Sequence, residues 1–588
     1  MSSPGPQAEG GDHPSPPRAA GRRACAFARV VLAAAALGLA GCAGSDRPIR
    51  AALRQRLESP RRHGGNLEAQ LQGFYRARDF RPGWTTRIGA RREAFELAVT
   101  LDRALHGGFE RDVAKARRLD SLVLGLRPSL FGPAPDPVRL AELEELLTQS
   151  YLAYAGRLLG GRVRPRDLPI DWRTGSRRAD LARTLEDALR RHRVAGSLRR
   201  LEPQQPGYEA LRLALARYRA IVSHGGWPGV SRGAPLAIGS VSARVAALRQ
   251  RLAAEDLVGP APVDSTEFDQ ELKAAVLRFQ RRYGLDTTGI VDADDIANLD
   301  LPADRRARQI ELNLERWHWI ADTLGDRYVM VNIPDYSLRV VERGRTVIDM
   351  RVVVGRAANP TPVFSAALGY VVFNPRWNVP ARIAANEVLA EIQKDPDYLM
   401  KNDIRVFDGP GLAAQELDAY AIPWQLLSPE DMPYSFRQDP GPANPVGHVK
   451  FMCPNPFDVY LHDTPTTHLF KRRERAFSHG CIRVEKPLEL AEYLLRNKPG
   501  WDRRGIEAAI DTSRNQAVTI PDPLPVHLFY FTAWVDRAGE VEFRPDIYGL
   551  DELLDRALRG ERLPGRAELD TLRAQNSRVR STWNPSDR

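Results

Sequence analysis

The spacing of apolar residues changes near Arg327, and this change constrains the fold more than any other feature of the sequence. Before Arg327, apolar residues recur at three- and four-residue steps, as in REAFELAVTLDRAL and LAELEELLTQSYLAYAGRLL, which predicts amphipathic helices. After it, apolar and polar residues alternate, as in RYVMVNIPDYSLRVV, which predicts strands. The chain has 588 residues, too many for one hydrophobic core. We therefore expect a multidomain α+β protein.

The helical part divides where glycine and proline interrupt its pattern, at GGWPGV. A helical scaffold domain is predicted over 42–235. A compact unit of three helices is predicted over 240–301, and its second helix places four apolar side chains on one face: Leu272, Ala275, Val276 and Phe279.

The strand-rich part is predicted over 325–550. A helical excursion over about 381–438, which begins with ARIAANEVLAEIQKDPDYL, interrupts the strands, so we expect an insertion that caps the sheet. The basic tail over 565–588 is predicted to be disordered.

The start of the chain has the pattern of an export signal. A basic region with four arginines at 18–29 precedes VVLAAAALGLA, an apolar run too short to span a bilayer. The run ends in Leu-Ala-Gly-Cys at Cys42, and 1–41 resembles a bacterial lipoprotein signal. The resemblance implies a lipid anchor on Cys42 and a periplasmic location, with the outer membrane preferred because Ala43 follows. An ordinary signal peptide remains the alternative.

The charge of the chain indicates an anionic partner without naming it. Lys and Arg number 85 against 74 Asp and Glu, a formal net charge of +11, which suits a polyanionic surface. The sequence has no zinc finger, RNA-binding signature or long basic block, so a nucleic-acid partner is not expected.

A histidine and a cysteine in the strand-rich part suggest nucleophilic chemistry. In NPFDVYLHD, alternation places Tyr460 and His462 on the face opposite the apolar residues. Ser478-His479-Gly480-Cys481 follows after a gap of fifteen residues, and a loop of this length can return the cysteine to the strand end.

These residue types match what a thiol nucleophile requires. A thiol with a pKa near ~8.5 is mostly protonated at neutral pH, and an imidazole such as His462 can take its proton. Gly480 lets the backbone bend so that its amide and that of Cys481 can bind an oxyanion, at roughly 3 kcal/mol for each donor. Arg475 and Arg483 are expected to add positive potential.

Two segments carry a family resemblance. FQRRYGL and TGIVD within 240–301 resemble the three-helix peptidoglycan-binding domain. VYLHDTPTTHLFKRRERAFSHGCIRVEKP resembles the active-site segment of the L,D-transpeptidases. The order of scaffold, peptidoglycan-binding and capped catalytic domains is similar to that of the large multidomain Gram-negative branch of this family.

The resemblance implies a role for each site residue. Cys481 matches the nucleophile and His462 the base, oriented by the backbone carbonyl of Asp463. His479 and Gly480 match the signature around the nucleophile, and we expect His479 to position the loop rather than act as the base. Substrate binding is expected from four further residues: Arg483, Tyr460, Ser478 and Trp377.

The resemblance also implies a reaction. Cys481 would attack the diaminopimelate carbonyl of a tetrapeptide stem, expel D-alanine and pass the acyl group to a second stem, giving a 3-3 crosslink. The expected partners are peptidoglycan stem peptides and glycan, and no cofactor or metal is expected. The alternatives are an L,D-carboxypeptidase, an enzyme that attaches proteins to or detaches them from peptidoglycan, and a non-catalytic wall-binding lipoprotein.

The residues themselves leave two other interpretations open. His462, His468, His479 and Cys481 carry ligand-capable atoms, although no closely spaced pair typical of zinc sites exists among them. A disulfide between Cys453 and Cys481 is the second alternative, since sequence alone does not fix the geometry of such a bond.

Overall fold

The chain forms two compact units in its computed structural model. The residues described are 46–58, 65–106, 113–128, 133–257, 265–411 and 413–581, so the predicted signal 1–41 and Cys42 lie outside them. One unit comprises Met1–Leu159 and Arg178–Pro203, and the other comprises Gly160–Arg177 and Gln204–Arg588. None of the described helices is both long and apolar enough to cross a membrane.

The first unit is built from helices, as the apolar periodicity predicts, with a short ribbon of β1 (Thr85–Thr86) and β2 (Gly89–Ala90). Its helices are Arg47–Leu57, Asn66–Ala77, Arg92–His106, Val113–Gly125, Pro137–Gly160, Leu181–Arg190 and Val194–Arg199. The carboxylate of Glu144 is fully buried, and it accepts hydrogen bonds from the Trp84 amide at 2.7 Å and the Tyr75 hydroxyl at 2.8 Å. These bonds offset the loss of water around the buried charge.

In the second unit, the helix Pro206–Ser223 precedes the predicted three-helix domain in the chain, and the helix Ala303–Trp317 follows it. That domain consists of Ala243–Ala253, Gln270–Arg282 and Ala293–Leu299, and its predicted apolar face is buried. Pro206–Ser223 packs into the same core. The predicted scaffold range, 42–235, therefore extends into the second compact unit and is not one unit by itself.

The second unit also contains the strands. They are β3 (Trp172–Arg173), β4 (Arg327–Asn332), β5 (Ser337–Glu342), β6 (Arg345–Gly355), β7 (Val363–Phe373), β8 (Trp377–Asn378), β9 (Ile404–Phe407), β10 (Glu416–Leu417), β11 (Ser435–Gln438), β12 (Val449–Met452), β13 (Leu461–His462), β14 (Ala476–Ser478), β15 (Ile482–Val484), β16 (Gln516–Phe529), β17 (Ala533–Val535) and β18 (Val541–Phe543).

The main sheet curves back on itself. Its order is β12-β13-β15-β6-β5-β4-β16-β7-β3, and β12 also pairs with β7, so eight of these strands form a closed path. Closure pairs the strand edges that an open sheet would leave free. The parallel pair β13 and β15 lies within this path, and it brings the histidine and cysteine segments side by side. The core beneath it includes Leu461 and Ile482, both fully buried.

The insertion over 381–438 is present where it is predicted, but it is not only helical. It begins with a helical stretch made up of Ala381–Ile383, a π-turn at Ala384–Val388 and Leu389–Lys394. The short helix Tyr398–Lys401 follows. A four-stranded sheet, β10-β9-β11-β8, packs against these helices around its own core. The sequence pattern misses this sheet because its strands are two to four residues long.

The C-terminal helices correct one prediction. They are Pro487–Leu495, Arg503–Asp511, Leu550–Arg559 and Arg566–Ser581. The predicted disordered tail, 565–588, is thus helical through most of its length. It is held because Leu569 is buried against Leu553, Leu554 and Leu558, and because Arg573 donates a hydrogen bond to the Tyr548 carbonyl at 3.1 Å.

Candidate functional site

Three adjacent strands place five polar side chains on one face of the sheet. β12 pairs Lys450 with His462, and β13 pairs His462 with Arg483 of β15. The Ile482 amide donates to the Tyr460 carbonyl at 3.1 Å, which extends this register back toward Cys481. Since side chains two apart on a strand share a face, Tyr460 and Cys481 point to the same side as these three.

Cys481 is a half-buried free thiol on this face. Its sulfur lies 4.0 Å from the Asp458 carbonyl. Burial raises the pKa of the thiol, while hydrogen bonds from the Tyr460 backbone and side chain and the charges of Lys450 and Arg483 act to lower it. The sulfur therefore rests as a thiol, and a base is needed to convert it to a thiolate.

His462 has the orientation and protonation state of a base. Its side chain is buried, and Nδ1 lies 2.5 Å from the Asp463 carbonyl. The carbonyl can only accept, so Nδ1 carries the proton and Nε2 is left as the acceptor. Burial, with the charges of Arg483 and Lys450, lowers the pKa of His462 to about 3. The imidazole is neutral at physiological pH.

Asp463 supplies more than its carbonyl. Its carboxylate accepts hydrogen bonds from the His448 amide at 2.8 Å and the Thr464 amide at 2.7 Å. These bonds fix the turn after His462, and they fix the direction of the carbonyl that orients its ring.

The loop before Cys481 is braced by Ser478. The buried Ser478 hydroxyl donates to the Cys481 carbonyl at 2.5 Å and accepts from the Gly480 amide at 3.1 Å. Gly480 has φ of +118°, a region that favours glycine. The Gly480 amide and the Ser478 hydroxyl therefore both make hydrogen bonds within the loop. The predicted roles of Gly480 toward an oxyanion and of Ser478 toward substrate stay predictions.

The Cys481 amide is the second N–H that is predicted to bind an oxyanion. Among the described residues, it has no backbone or side-chain acceptor. The Gly480 carbonyl accepts from the Thr361 hydroxyl at 2.8 Å, which fixes the peptide that carries this N–H.

His479 points to the insertion. Its Nε2 lies 2.5 Å from a Glu387 carboxylate oxygen and 2.8 Å from a guanidinium nitrogen of Arg356. Arg356 and Glu387 are 3.0 Å apart. Glu387 belongs to the π-turn of the insertion, so this cluster joins the insertion to the loop that carries Cys481. The sequence gives no motif for Glu387 or Arg356.

The remaining predicted substrate residues occupy different places. Arg483 donates to the Thr466 hydroxyl at 2.9 Å, and its Nε is buried without a hydrogen-bond acceptor. The Tyr460 ring is 5.6 Å from that of His462, within the site. Trp377 lies on β8 and packs against the core of the insertion, with no described contact to Cys481.

Arg475 lies in the chain before the loop and bonds to backbone carbonyls. Its guanidinium donates to the backbone carbonyls of Val352, Arg472 and Tyr336, so it braces the chain before the loop. Lys450 supplies charge near the sulfur. Sequence reasoning missed Lys450, although its alternation with the buried Val449 and Phe451 could have placed it on the face of His462.

The two alternatives left open by the sequence have no counterpart in the described geometry. Cys453 and Cys481 are both free thiols. Burial raises the pKa of Cys453 to about 12, with the nearby Cys481 adding to this effect. Within the described ranges, no group of three or more His, Cys, Asp or Glu side chains is arranged to hold a metal ion.

Comparisons with protein families match three segments. Residues 326–503 match the L,D-transpeptidase catalytic domain, 69–215 match the scaffold domain, and 241–297 match the "Putative peptidoglycan binding domain". The catalytic match includes β13, β15 and the loop between them.

A curated protein of Haemophilus influenzae named "Putative L,D-transpeptidase" is 34% identical over 250 residues. The match covers 42% of this chain and 49% of that protein, so this chain spans about half the length of its curated relative.

Two solved structures have partial similarity to this chain. The L,D-transpeptidase from Mycobacterium smegmatis is 14% identical over 35% of this chain and 58% of that one, with a TM-score of 0.17. The L,D-transpeptidase from Xylanimonas cellulosilytica is 15% identical over 51% and 99%, with a TM-score of 0.15. At these scores, the structural similarity adds nothing to the family matches.

Proposed function

Because this chain belongs to the L,D-transpeptidase family, we propose that it forms 3-3 crosslinks between peptidoglycan stem peptides through a cysteinyl acyl-enzyme. The observation that carries the proposal is the shared face of β13 and β15. It holds the Cys481 thiol near a neutral His462 whose Nδ1 bonds the Asp463 carbonyl. A thiol beside an oriented imidazole suits nucleophilic acyl transfer.

The first half-reaction transfers the donor stem to the enzyme. His462 Nε2 takes the thiol proton as Cys481 Sγ attacks the diaminopimelate carbonyl carbon. The carbonyl oxygen becomes an oxyanion near the Cys481 amide. When this intermediate collapses, the bond to D-alanine breaks, and the imidazolium returns its proton to the leaving amine.

The second half-reaction resolves the thioester. The side-chain amine of a second stem attacks the acyl carbon, His462 takes a proton from this amine, and the thiol leaves with that proton. No nucleotide is needed, because the thioester keeps the energy of the amide that was broken. Water as acceptor would give a carboxypeptidase, and a protein amine would give an attachment enzyme.

Mass spectrometry of the intact protein tests the acyl-enzyme. The reduced full-length chain incubated with tetrapeptide should gain the mass of the donor stem less D-alanine, and Cys481→Ala should gain nothing. Cys453→Ala is the matched control and should acylate like the parent chain, since Cys453 is buried in the core. No adduct on the parent chain would refute the enzymatic proposal. Adding the acceptor stem peptide to the acylated enzyme then identifies the acceptor. A crosslinked dimer would indicate transpeptidation, and a free tripeptide would indicate hydrolysis.

We extend the proposal to the peptidoglycan-binding domain, which should retain the protein on the cell wall. Three apolar side chains are exposed on or beside it: Ile238, Val241 and Ile290. Replacing all three with Glu should reduce sedimentation with isolated sacculi, because acidic side chains would weaken contact with an acidic polymer. Val347→Glu, at an equally exposed site on β6, is the control and should sediment like the parent chain.

The proposed location is the periplasm, with a lipid anchor on Cys42 and a preference for the outer membrane. Each buried CH₂ of a lipid chain contributes about 0.8 kcal/mol to membrane binding. Cys42→Ala should therefore move the protein from the membrane fraction to the soluble fraction. Equal fractionation of the two chains would remove the anchor from the proposal.

A further inference from the structure

Lys450 is a half-buried cation with an aromatic partner and no carboxylate partner. Its Nζ lies 3.6 Å from the centroid of the Tyr460 ring. In the part of the chain that the structure describes, no carboxylate oxygen lies within the 4.0 Å limit of an ion pair with it. By contrast, the two lysines of the insertion both pair with acids, Lys394 with Glu391 and Lys401 with Asp395.

This arrangement disfavours the charge of Lys450 in the resting protein. Burial lowers the pKa of its ammonium, because a cation removed from water needs compensation. The cation–π contact returns roughly 0.5–2 kcal/mol. An apolar residue would fill the same space at less cost in free energy. The position of the charge therefore requires an explanation other than stability.

The strand register places this charge opposite the nucleophile's base and on the nucleophile's face. Lys450 pairs with His462, and Tyr460, which Lys450 covers, hydrogen-bonds the Cys481 sulfur. A negative charge that develops on the sulfur therefore interacts electrostatically with the Lys450 ammonium.

We propose that Lys450 stabilises the thiolate of Cys481 as the thiol proton passes to His462 Nε2. Lys450 keeps its own proton throughout, and no other bond changes. The charge of Asp458 acts on Lys450 without a described ion pair between them, and a thiolate at Cys481 would stabilise the ammonium further. The inference rests on the proposed cysteine chemistry and adds a residue to it.

The other groups around the sulfur do not replace this charge. β12 contributes Lys450, and the neutral Cys453 follows this strand. The segment before β13 contributes Asp458, whose negative charge opposes ionisation, and the neutral side chain of Tyr460. β13 contributes the neutral His462, and β15 contributes Arg483. Arg483 is the second cation, and its Nη1 is held by Thr466.

Alkylation of Cys481 by iodoacetamide across pH 6–11 measures the effect directly. The full-length, reduced chain is used, and peptide mass spectrometry separates Cys481 from the other cysteines. In Lys450→Met, the pH midpoint for Cys481 should rise by about one unit, which is the scale of a partly screened charge at this range. In Lys450→Arg, it should stay within about 0.3 unit of the parent chain. Lys486→Met is the control at an exposed lysine.

Two results would overturn the proposal: a rise of less than half a unit in Lys450→Met, or an equal rise in Lys450→Arg. A purely structural role for Lys450 would change the thermal midpoint without moving the alkylation midpoint. If Lys450→Met does not fold, Lys450→Gln serves in its place. Alkylation needs no stem peptide, so failure here is distinct from failure to form an acyl adduct.

Discussion

His462 and His479 lie close to the same cysteine in the fold, yet their partners give them different tasks. His462 is buried and bonds the Asp463 carbonyl, which leaves Nε2 free to accept a proton. His479 uses Nε2 for Glu387 and Arg356, so that atom is occupied. The geometry therefore favours His462 as the base and His479 as a residue that holds the loop.

Single-turnover acylation by tetrapeptide should rank the two histidines. His462→Ala should lower the rate by at least ~10²-fold, because a general base contributes roughly 10² to 10⁴. His479→Ala should retain measurable activity, and Cys481→Ala should have none. His468→Ala, at an exposed histidine on the same stretch of chain, should match the parent rate. A tenfold greater loss in His479→Ala than in His462→Ala would exchange the two roles.

The pH dependence of acylation should reflect a neutral thiol and a neutral imidazole. Burial raises the pKa of Cys481 and lowers that of His462 to about 3. His462 is therefore unprotonated at every pH well above 3, and lowering the pH from 8 to 5 does not remove the base. We expect the single-turnover rate to change by less than about threefold over this interval.

A different mechanism would give a different profile. If a preformed thiolate were the reacting species, the rate would fall about tenfold for each unit of pH below the thiol pKa. If the acylation rate fell tenfold for each pH unit between pH 8 and 5, while circular dichroism showed an intact fold, the result would contradict a reaction that starts from a neutral thiol and a neutral imidazole. The tetrapeptide concentration should be held at saturation so that binding does not mask the chemical step.

Sequence reasoning located the thiol and imidazole because both lie in one short segment with a recognisable spacing. It did not find Lys450, Arg356 or Glu387, since each reaches the site from a different strand or from the insertion. It predicted an oxyanion contact for the Gly480 amide and a substrate contact for Ser478, but not the hydrogen bond between these two residues. Whether an amide faces a ligand or its own loop depends on torsion angles that residue identity does not fix.

At the scale of elements, the π-turn Ala384–Val388 connects the insertion to the nucleophile loop. A π-turn places one more residue in a helical turn, and such turns often lie at functional sites. Here it presents Glu387 to both His479 and Arg356. The insertion is thereby tied to the loop that carries Cys481, through hydrogen bonds that are only half-buried.

Removing the Glu387 carboxylate should loosen this connection. Glu387→Ala should lower the acylation rate by about three- to tenfold, since partly exposed charged pairs contribute on the order of 1 kcal/mol. Glu391→Ala is the matched control, because Glu391 lies on the next turn and bonds only to the exposed Lys394. Equal rates for the two variants would mean that the insertion does not act through Glu387.

The elements that sequence predicted well are those with long, regular patterns. The helix Pro137–Gly160 and the strands β4, β5 and β6 extend far enough for their periodicity to be read. β8 and β10 have two residues each, too few for any alternation, and their pairing comes from the tertiary fold. The C-terminal helix was missed because its polar composition resembles that of a tail, while Leu569 supplies the burial that orders it.

At the scale of the whole molecule, the core of the matched catalytic segment 326–503 continues beyond it into β16, and the chain after β16 packs on helices that precede the sheet. The hairpin β17–β18 packs Val541 and Phe543 against the peptidoglycan-binding helices. The Thr532 amide donates to Asn313 at 2.9 Å, and Arg316 pairs with Asp551 at 2.5 Å. These contacts join the strand-rich part to the helix Ala303–Trp317, which precedes it in the chain.

Two truncated chains should therefore differ in stability. A chain of 160–588 in which a short Gly-Ser linker replaces Arg178–Pro203, which belongs to the first unit, keeps the second compact unit and β3, which pairs with β7. A chain of 326–588 loses the partners of β17–β18 and leaves Asp551 without Arg316. Breaking a buried pair in this way costs roughly 3–5 kcal/mol, and the newly exposed apolar surface adds to the loss.

We expect 160–588 to unfold within a few degrees of the full-length chain and to acylate Cys481 at a similar rate. We expect 326–588 to unfold at least about 5 °C lower or to aggregate, since a loss of about 1 kcal/mol shifts the midpoint of a large domain by roughly 2–4 °C. Thermal unfolding by circular dichroism, with acylation measured on the same samples, makes the comparison. Equal stability of the two truncated chains would show that the catalytic sheet folds without the helices that precede it.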